Sequence, residues 1–188
     1  IRRQRQMCIR DREGMLPVIK GEIPLFIHAN EVRQIEAAVY WSNRHNLTMI
    51  LVGGRDSWRV TRLLKEKNIP VIYTHVHSLP MRRFEKYDQP FITPIQLFEA
   101  GVKFCISNSE SPFQTPHIRN LPYYAAKASS YGLPHEEALR SITLSPAEIL
   151  SVAESVGSID IGKDATFFIS DGDILDVRTQ VNLSLIHI

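Results

Sequence analysis

A chain of 188 residues with 22 basic and 20 acidic side chains and 44% hydrophobic content has the size and balance of a globular domain, which excludes a disordered or collagen-like polymer. No apolar run approaches the ~20 residues of a membrane-spanning helix. Two cysteines cannot build the disulfide framework of a small secreted scaffold.

The chain opens on IRRQRQMCIRD, which is basic and has no hydrophobic period. It resembles the translation of a transposase-type sequencing adapter, and the last six residues, LSLIHI, resemble the same transposon end read from the opposite strand. The other reading is a natural basic arm and a natural apolar tail. Complementary matches at both ends favour library sequence, so Arg2 to Arg12 and Leu183 to Ile188 are set aside in reading the fold. Five arginines and Asp11 leave with the first segment, and the remaining 17 basic and 19 acidic residues turn a formal charge of +2 into −2. The basic pI then carries no message about nucleic acid or an anionic membrane, and neither is expected as a partner. Cys8 leaves too, and Cys105 alone neither forms an internal disulfide nor fixes the compartment.

From there, strands and helices alternate. Ile23 to Ala29 (IPLFIHA) is a short apolar run that predicts a buried strand. Glu31 to His45 repeats apolar residues at Val32, Ile35, Ala38 and Val39, an amphipathic helix. Leu47 to Val52 predicts a second strand, ended by Gly53-Gly54, and Asp56 is a candidate N-cap for a helix reaching Lys67. Ile69 to Thr74 is the third strand. A long proline-punctuated loop runs from His75 to Ile92, Thr93-Pro94 opens a short helix ending at Gly101, and Val102 to Ser107 is the fourth strand. Helices follow near Leu121 to Tyr131, with Asn120 as cap, His135 to Thr143, and Ser145 to Glu154, with Ser145 as cap and Pro146 at the first helical position. Gly162 suits a turn needing positive φ before a strand from Ala165 to Ser170. Near-continuous apolar strands separated by helices imply a parallel sheet covered on both faces, in either a doubly wound sheet or a (β/α)8 barrel. No Gly-x-Gly-x-x-Gly or P-loop supports a self-standing nucleotide-binding domain.

Two stretches carry a resemblance: TLSPAEIL, and GSIDIGKDATFFISDGD from Gly157 to Asp173. Together they resemble the exit from the barrel in the amidohydrolase superfamily, its imidazolonepropionase-like members in particular. Ser151 stands where the pattern has a glycine, and Ile174 where it has a proline. The resemblance spans roughly residues 13 to 182. It implies an α/β fold: the C-terminal half of a TIM-type barrel over 13–156, strands five to eight with their helices, and a return into a small β-sandwich over 157–182. Half a barrel leaves strand edges open, so the fragment alone is expected to be inactive and to aggregate or stay partly unfolded.

The resemblance also assigns chemistry to the C-terminal ends of the strands. His28 ends the first strand here, where the superfamily places a metal ligand, and a neutral imidazole suits a divalent ion such as zinc. The family's strand-six histidine is replaced by Gly53 and Gly54, which imply either a tight turn or a close backbone approach to a ligand. Its strand-eight aspartate is missing from VKFCISNSESPF; Glu110 is the nearest carboxylate and the candidate base, and Asn108 could hydrogen-bond a substrate. SLPMRRFEKYDQPF matches a substrate loop of the family, which makes His77 and Arg82 pocket candidates and His75 a structural residue. If the third strand extended to them, His75 and His77 would share one face. The implied activity is metal-dependent hydrolysis of a non-peptide C–N bond, in a cyclic amide or related small molecule. The alternative is a non-catalytic barrel of the same family that binds a small molecule, which the missing histidine and aspartate favour. A homo-oligomer is compatible with either.

Overall fold

The computed structural model describes residues 13–108 and 112–186. After a short helix α1 (Leu16–Ile19), four strands alternate with helices: β1 (Leu25–Ala29), α2 (Val32–Arg44), β2 (Met49–Gly53), α3 (Thr61–Glu66), β3 (Val71–Tyr73), α4 (Gln89–Glu99) and β4 (Phe104–Ile106). Helices α5 (Leu121–Ser130), α6 (His135–Arg140) and α7 (Leu144–Ile149) follow, then a separate pair of strands, β5 (Phe167–Ser170) and β6 (Val181–Leu185). The first four strands pair in parallel in the order β1-β2-β3-β4, while β5 and β6 are antiparallel. Among the described residues the parallel sheet has two ends and does not close into a barrel. The exposed outer side belongs to β1. The β4 end is covered in part, since Ile106 N–H donates to the Ser141 carbonyl at 3.0 Å.

Parallel register fixes which side chains share a face. His28, Val52, Ile72 and Cys105 lie in one row, and Phe26 stands beside Ile50. The opposite face carries the main core, in which Leu51, Val71, Tyr73, Phe104 and Ile106 pack against Ile35 and Val39 of α2, Leu64 of α3, Leu97 of α4 and Ala125 and Ala128 of α5. The face bearing His28 is covered only in part, by Ile149 of α7 over Ile50, Ile72 and Cys105, while Phe26 and His28 are exposed. Burial pushes the Cys105 thiol up to about 12, so it is a neutral packing group.

Element boundaries depart from the sequence expectation where proline acts. Pro24 and Pro70 cannot donate, so the ladders of β1 and β3 start after them. Helix α4 begins at Gln89, four residues before the expected Thr93, with Pro90 in its first turn. Pro94 then lies inside the helix and cannot donate to the Pro90 carbonyl. The Tyr73 hydroxyl fills that gap from β3 at 3.1 Å, so a proline that should weaken the helix is compensated by its neighbour strand.

The helix expected over 56–67 is a 3-10 turn, Ser57–Arg59, followed by α3. Neither Asp56, Asn120 nor Ser145 caps the helix expected to follow it with its side chain; Ser145 lies inside α7 and is buried, and its expected helix ends at Ile149. Gly162 has the expected positive φ, +94°. Ser151, where the family pattern has glycine, adopts φ 59° just past α7. A side chain in that left-handed conformation costs about 1 kcal/mol, so Ser151→Gly should raise the unfolding free energy by that amount, measured by urea titration. In the antiparallel pair, Leu183 and Leu185 stand opposite Ile169 and Phe167. Backbone pairing there asks only for an extended segment, whatever its origin. No helix among the described residues is long and apolar enough to cross a membrane.

Candidate functional site

Loops after β1, β2 and β3 converge at the C-terminal end of the sheet. Gly54 N–H donates to the Ala29 carbonyl and Asp56 N–H to the Asn30 carbonyl, both at 2.9 Å, so the chain leaving β2 is laid against the chain leaving β1. Gly53 makes this possible. Its φ is +94°, and a Cβ there would sit 2.6 Å from Asn30 Oδ1. The close approach expected at this glycine is to the Asn30 side chain. Gly54, at φ +61°, lies against Val71 and Ser57.

Asn30 in turn fixes His75. Its Oδ1 accepts the Arg55 N–H at 3.4 Å and lies 2.7 Å from His75 Nε2. An oxygen already accepting requires a proton on Nε2, which leaves Nδ1 as the acceptor facing Arg55 Nη2 at 3.5 Å. Burial and then the Arg55 charge push His75 down to about 4, so it stays neutral at physiological pH. His75 is a structural residue, as the sequence suggested. Strand β3 ends at Tyr73, so His75 and His77 share no strand face: His77 is exposed and stacks on Tyr124 at 5.5 Å between ring centroids.

An ion-pair network anchors the loop after β3. Arg82 donates from Nη1 and Nη2 to the two oxygens of Asp56, each at 2.8 Å, and from Nη1 to Glu85 at 2.6 Å. Arg59 approaches Glu85 at 3.6 Å, and Val32 N–H at the start of α2 donates to Asp56 at 3.3 Å. Asp56 is only 1% exposed. Burial pushes its carboxyl up, but the hydrogen bond and charge of Arg82 outweigh this and hold it below the usual carboxylate range. Arg82, expected to face a substrate, spends its fork on Asp56 and Glu85.

His28 is the penultimate residue of β1, on the sparsely covered sheet face and in register with Val52. Asn108 follows β4 and is half-buried, and Glu110 lies outside the described residues. Among the described residues no three His, Cys, Asp or Glu side chains converge where they could hold a metal ion. The described part of this chain therefore does not make a metal centre by itself, since hydrolytic ions take three or four protein ligands. Sequence reasoning missed Asn30, Arg55 and Glu85. Two of them, Asn30 and Arg55, stand directly behind strand ends, where that position was the available signal.

Residues 115–185 match the sequence model of the amidohydrolase family. An imidazolonepropionase of Brucella anthropi is 23% identical over 150 residues, 79% of this chain and 35% of its own length. An imidazolonepropionase of Shewanella sp. is 34% identical over 79 residues, 42% of this chain and 19% of its own. The solved structure of an amidohydrolase from Thermotoga maritima superposes with a TM-score of 0.76 at 26% identity, covering 88% of this chain and 42% of the other. The chain thus spans well under half the length of these relatives.

Proposed function

We propose that this chain, which belongs to the amidohydrolase superfamily, supplies strands five to eight of a (β/α)8 hydrolase barrel in β1 to β4 and the start of a β-sandwich in β5. The complete protein hydrolyses a non-peptide C–N bond in a cyclic amide or related small molecule. A water oxygen bonds to the carbonyl carbon, the C–N bond breaks, and the leaving nitrogen takes the proton. The observation that carries this reading is the likeness to the Thermotoga maritima amidohydrolase across 88% of the chain.

His28 is this chain's ligand to a divalent metal, with zinc the ion that best suits an imidazole, and the remaining ligands come from strands preceding β1. When bound, such an ion acidifies water and polarises a carbonyl. Glu110 is the proposed base. Within the described residues, this chain's part is to hold the strand-end loops rigid through Asn30, Asp56 and Arg82.

Sequencing across both ends of this segment in its native locus tests the reading. The expected frame replaces IRRQRQMCIRD and LSLIHI with a longer chain carrying His-x-His on a first strand. Elemental analysis of that full-length protein should then find bound divalent metal, and His28→Ala should weaken its retention at least about tenfold. A full-length frame without those histidines, or one that retains no divalent metal, would replace hydrolysis by the non-catalytic small-molecule barrel.

A further inference from the structure

Beneath the loop that follows β3 lies a cavity of about 10 Å³, with Arg55, Asp56, Tyr73, His75, Ser78 and Glu85 among the residues that line it. One water molecule needs roughly 10–15 Å³, so the space has the size of a single water and of nothing larger. Two side-chain networks reach this cavity. In the first, Asn30 Oδ1 lies 2.7 Å from His75 Nε2, and His75 Nδ1 faces Arg55 Nη2 at 3.5 Å. In the second, Arg82 joins Asp56 to Glu85. Among the described residues no hydrogen bond between side chains connects the two networks.

One donor on this wall is unmet. Arg55 Nε is buried and has no hydrogen-bond partner among the described residues. Leaving a buried N–H of a charged group unmet is costly, and such groups are nearly always satisfied by protein or by ordered water. An acceptor with spare capacity stands on the same wall: Asp56 Oδ1 takes a hydrogen bond from Arg82 at 2.8 Å, and a carboxylate oxygen can take two. Charge sets the kind of occupant. The guanidinium groups of Arg55 and Arg82 offset the carboxylates of Asp56 and Glu85, so the occupant needs no charge. It needs one lone pair for Nε and one proton for Asp56.

We propose that one water molecule occupies this cavity, accepting from Arg55 Nε and donating to the Asp56 carboxylate. The two networks then form one hydrogen-bonded unit that ties together the loops after β1, β2 and β3. This site follows from local geometry and does not depend on the hydrolase reading. A crystal structure of the full-length protein that shows ordered water tests it. The expected result is a single water peak roughly 2.7–3.2 Å from both Arg55 Nε and an Asp56 oxygen. Arg55→Met sets a methyl group about where Nε stood, removes the donor and should lose the peak. Arg62→Met, on the exposed side of α3, should keep it. Should Arg55→Met fail to fold, the wild-type density still decides: a dry cavity, or a side chain such as Gln89 turned onto Arg55 Nε, overturns the proposal. A water that stays at the same place in Arg55→Met overturns it as well, because Arg55 would then not be what holds it.

Discussion

Arg82→Met should lower the urea midpoint of the full-length protein, because it breaks from one side an ion pair whose carboxylate, Asp56, is buried. The cost comes from what is left behind: Asp56, 1% exposed, would keep its charge with only the Val32 N–H and the more distant Arg59 to offset it. Arg82→Lys should recover only part, because an ammonium cannot reproduce the two-pronged contact that spans both carboxylate oxygens at 2.8 Å. The pH dependence identifies the cause. In the wild type the folded carboxyl of Asp56 is depressed, so its contribution is complete above the unfolded value, about 4, and is lost as pH falls through the folded one. Without Arg82, burial is opposed only by the Val32 N–H and the more distant Arg59, so the carboxyl rises and protonation relieves the variant. The gap between wild type and variant should narrow below about pH 4; a gap constant from pH 7 to pH 3 would show that the carboxylate is not its source.

Gly53→Ala should cost about 3 kcal/mol in urea titration, from a left-handed backbone and a blocked side chain together. An alanine Cβ would meet Asn30 Oδ1 at 2.6 Å, and moving that amide breaks its bonds to His75 and to the Arg55 N–H. The two parts separate in a double-mutant cycle. In an Asn30→Ala background the steric part disappears and the penalty should fall to about 1–2 kcal/mol, leaving the backbone strain. An unchanged penalty in that background would assign the whole effect to φ.

These two sites show what was legible in the sequence. All four parallel strands were read correctly because runs such as LTMILV and VKFCIS have one stable place, the middle of a covered sheet. The start of α4 was misread because Pro90 reads as part of a proline-punctuated loop and Pro94 as the opening of a helix. Only the fold brings the Tyr73 hydroxyl to the carbonyl that Pro94 leaves unmet. Asp56 was read as a local cap, while its partner Arg82 lies 26 residues away with no periodicity to connect them. Likewise the stacking of His77 on Tyr124 joins a loop to helix α5, and their separation in the chain says nothing about distance in space. The glycine pair was read as either a tight turn or a close approach, and Gly53 serves both, with Asn30 as the group approached.

The order of the parallel sheet is also the order of the chain. Each strand lands beside the one made just before it, so no pairing waits for a distant segment, and the loops to be closed are those from Ala29 to Met49, Gly53 to Val71 and Tyr73 to Phe104. Such a sheet can assemble strand by strand during synthesis, with a modest entropic cost at each step. On a longer nascent chain whose earlier strands had already paired, β1 would join their free edge first and β4 would lock last, with the Ser141 carbonyl closing over Ile106 as the final backbone contact of the series.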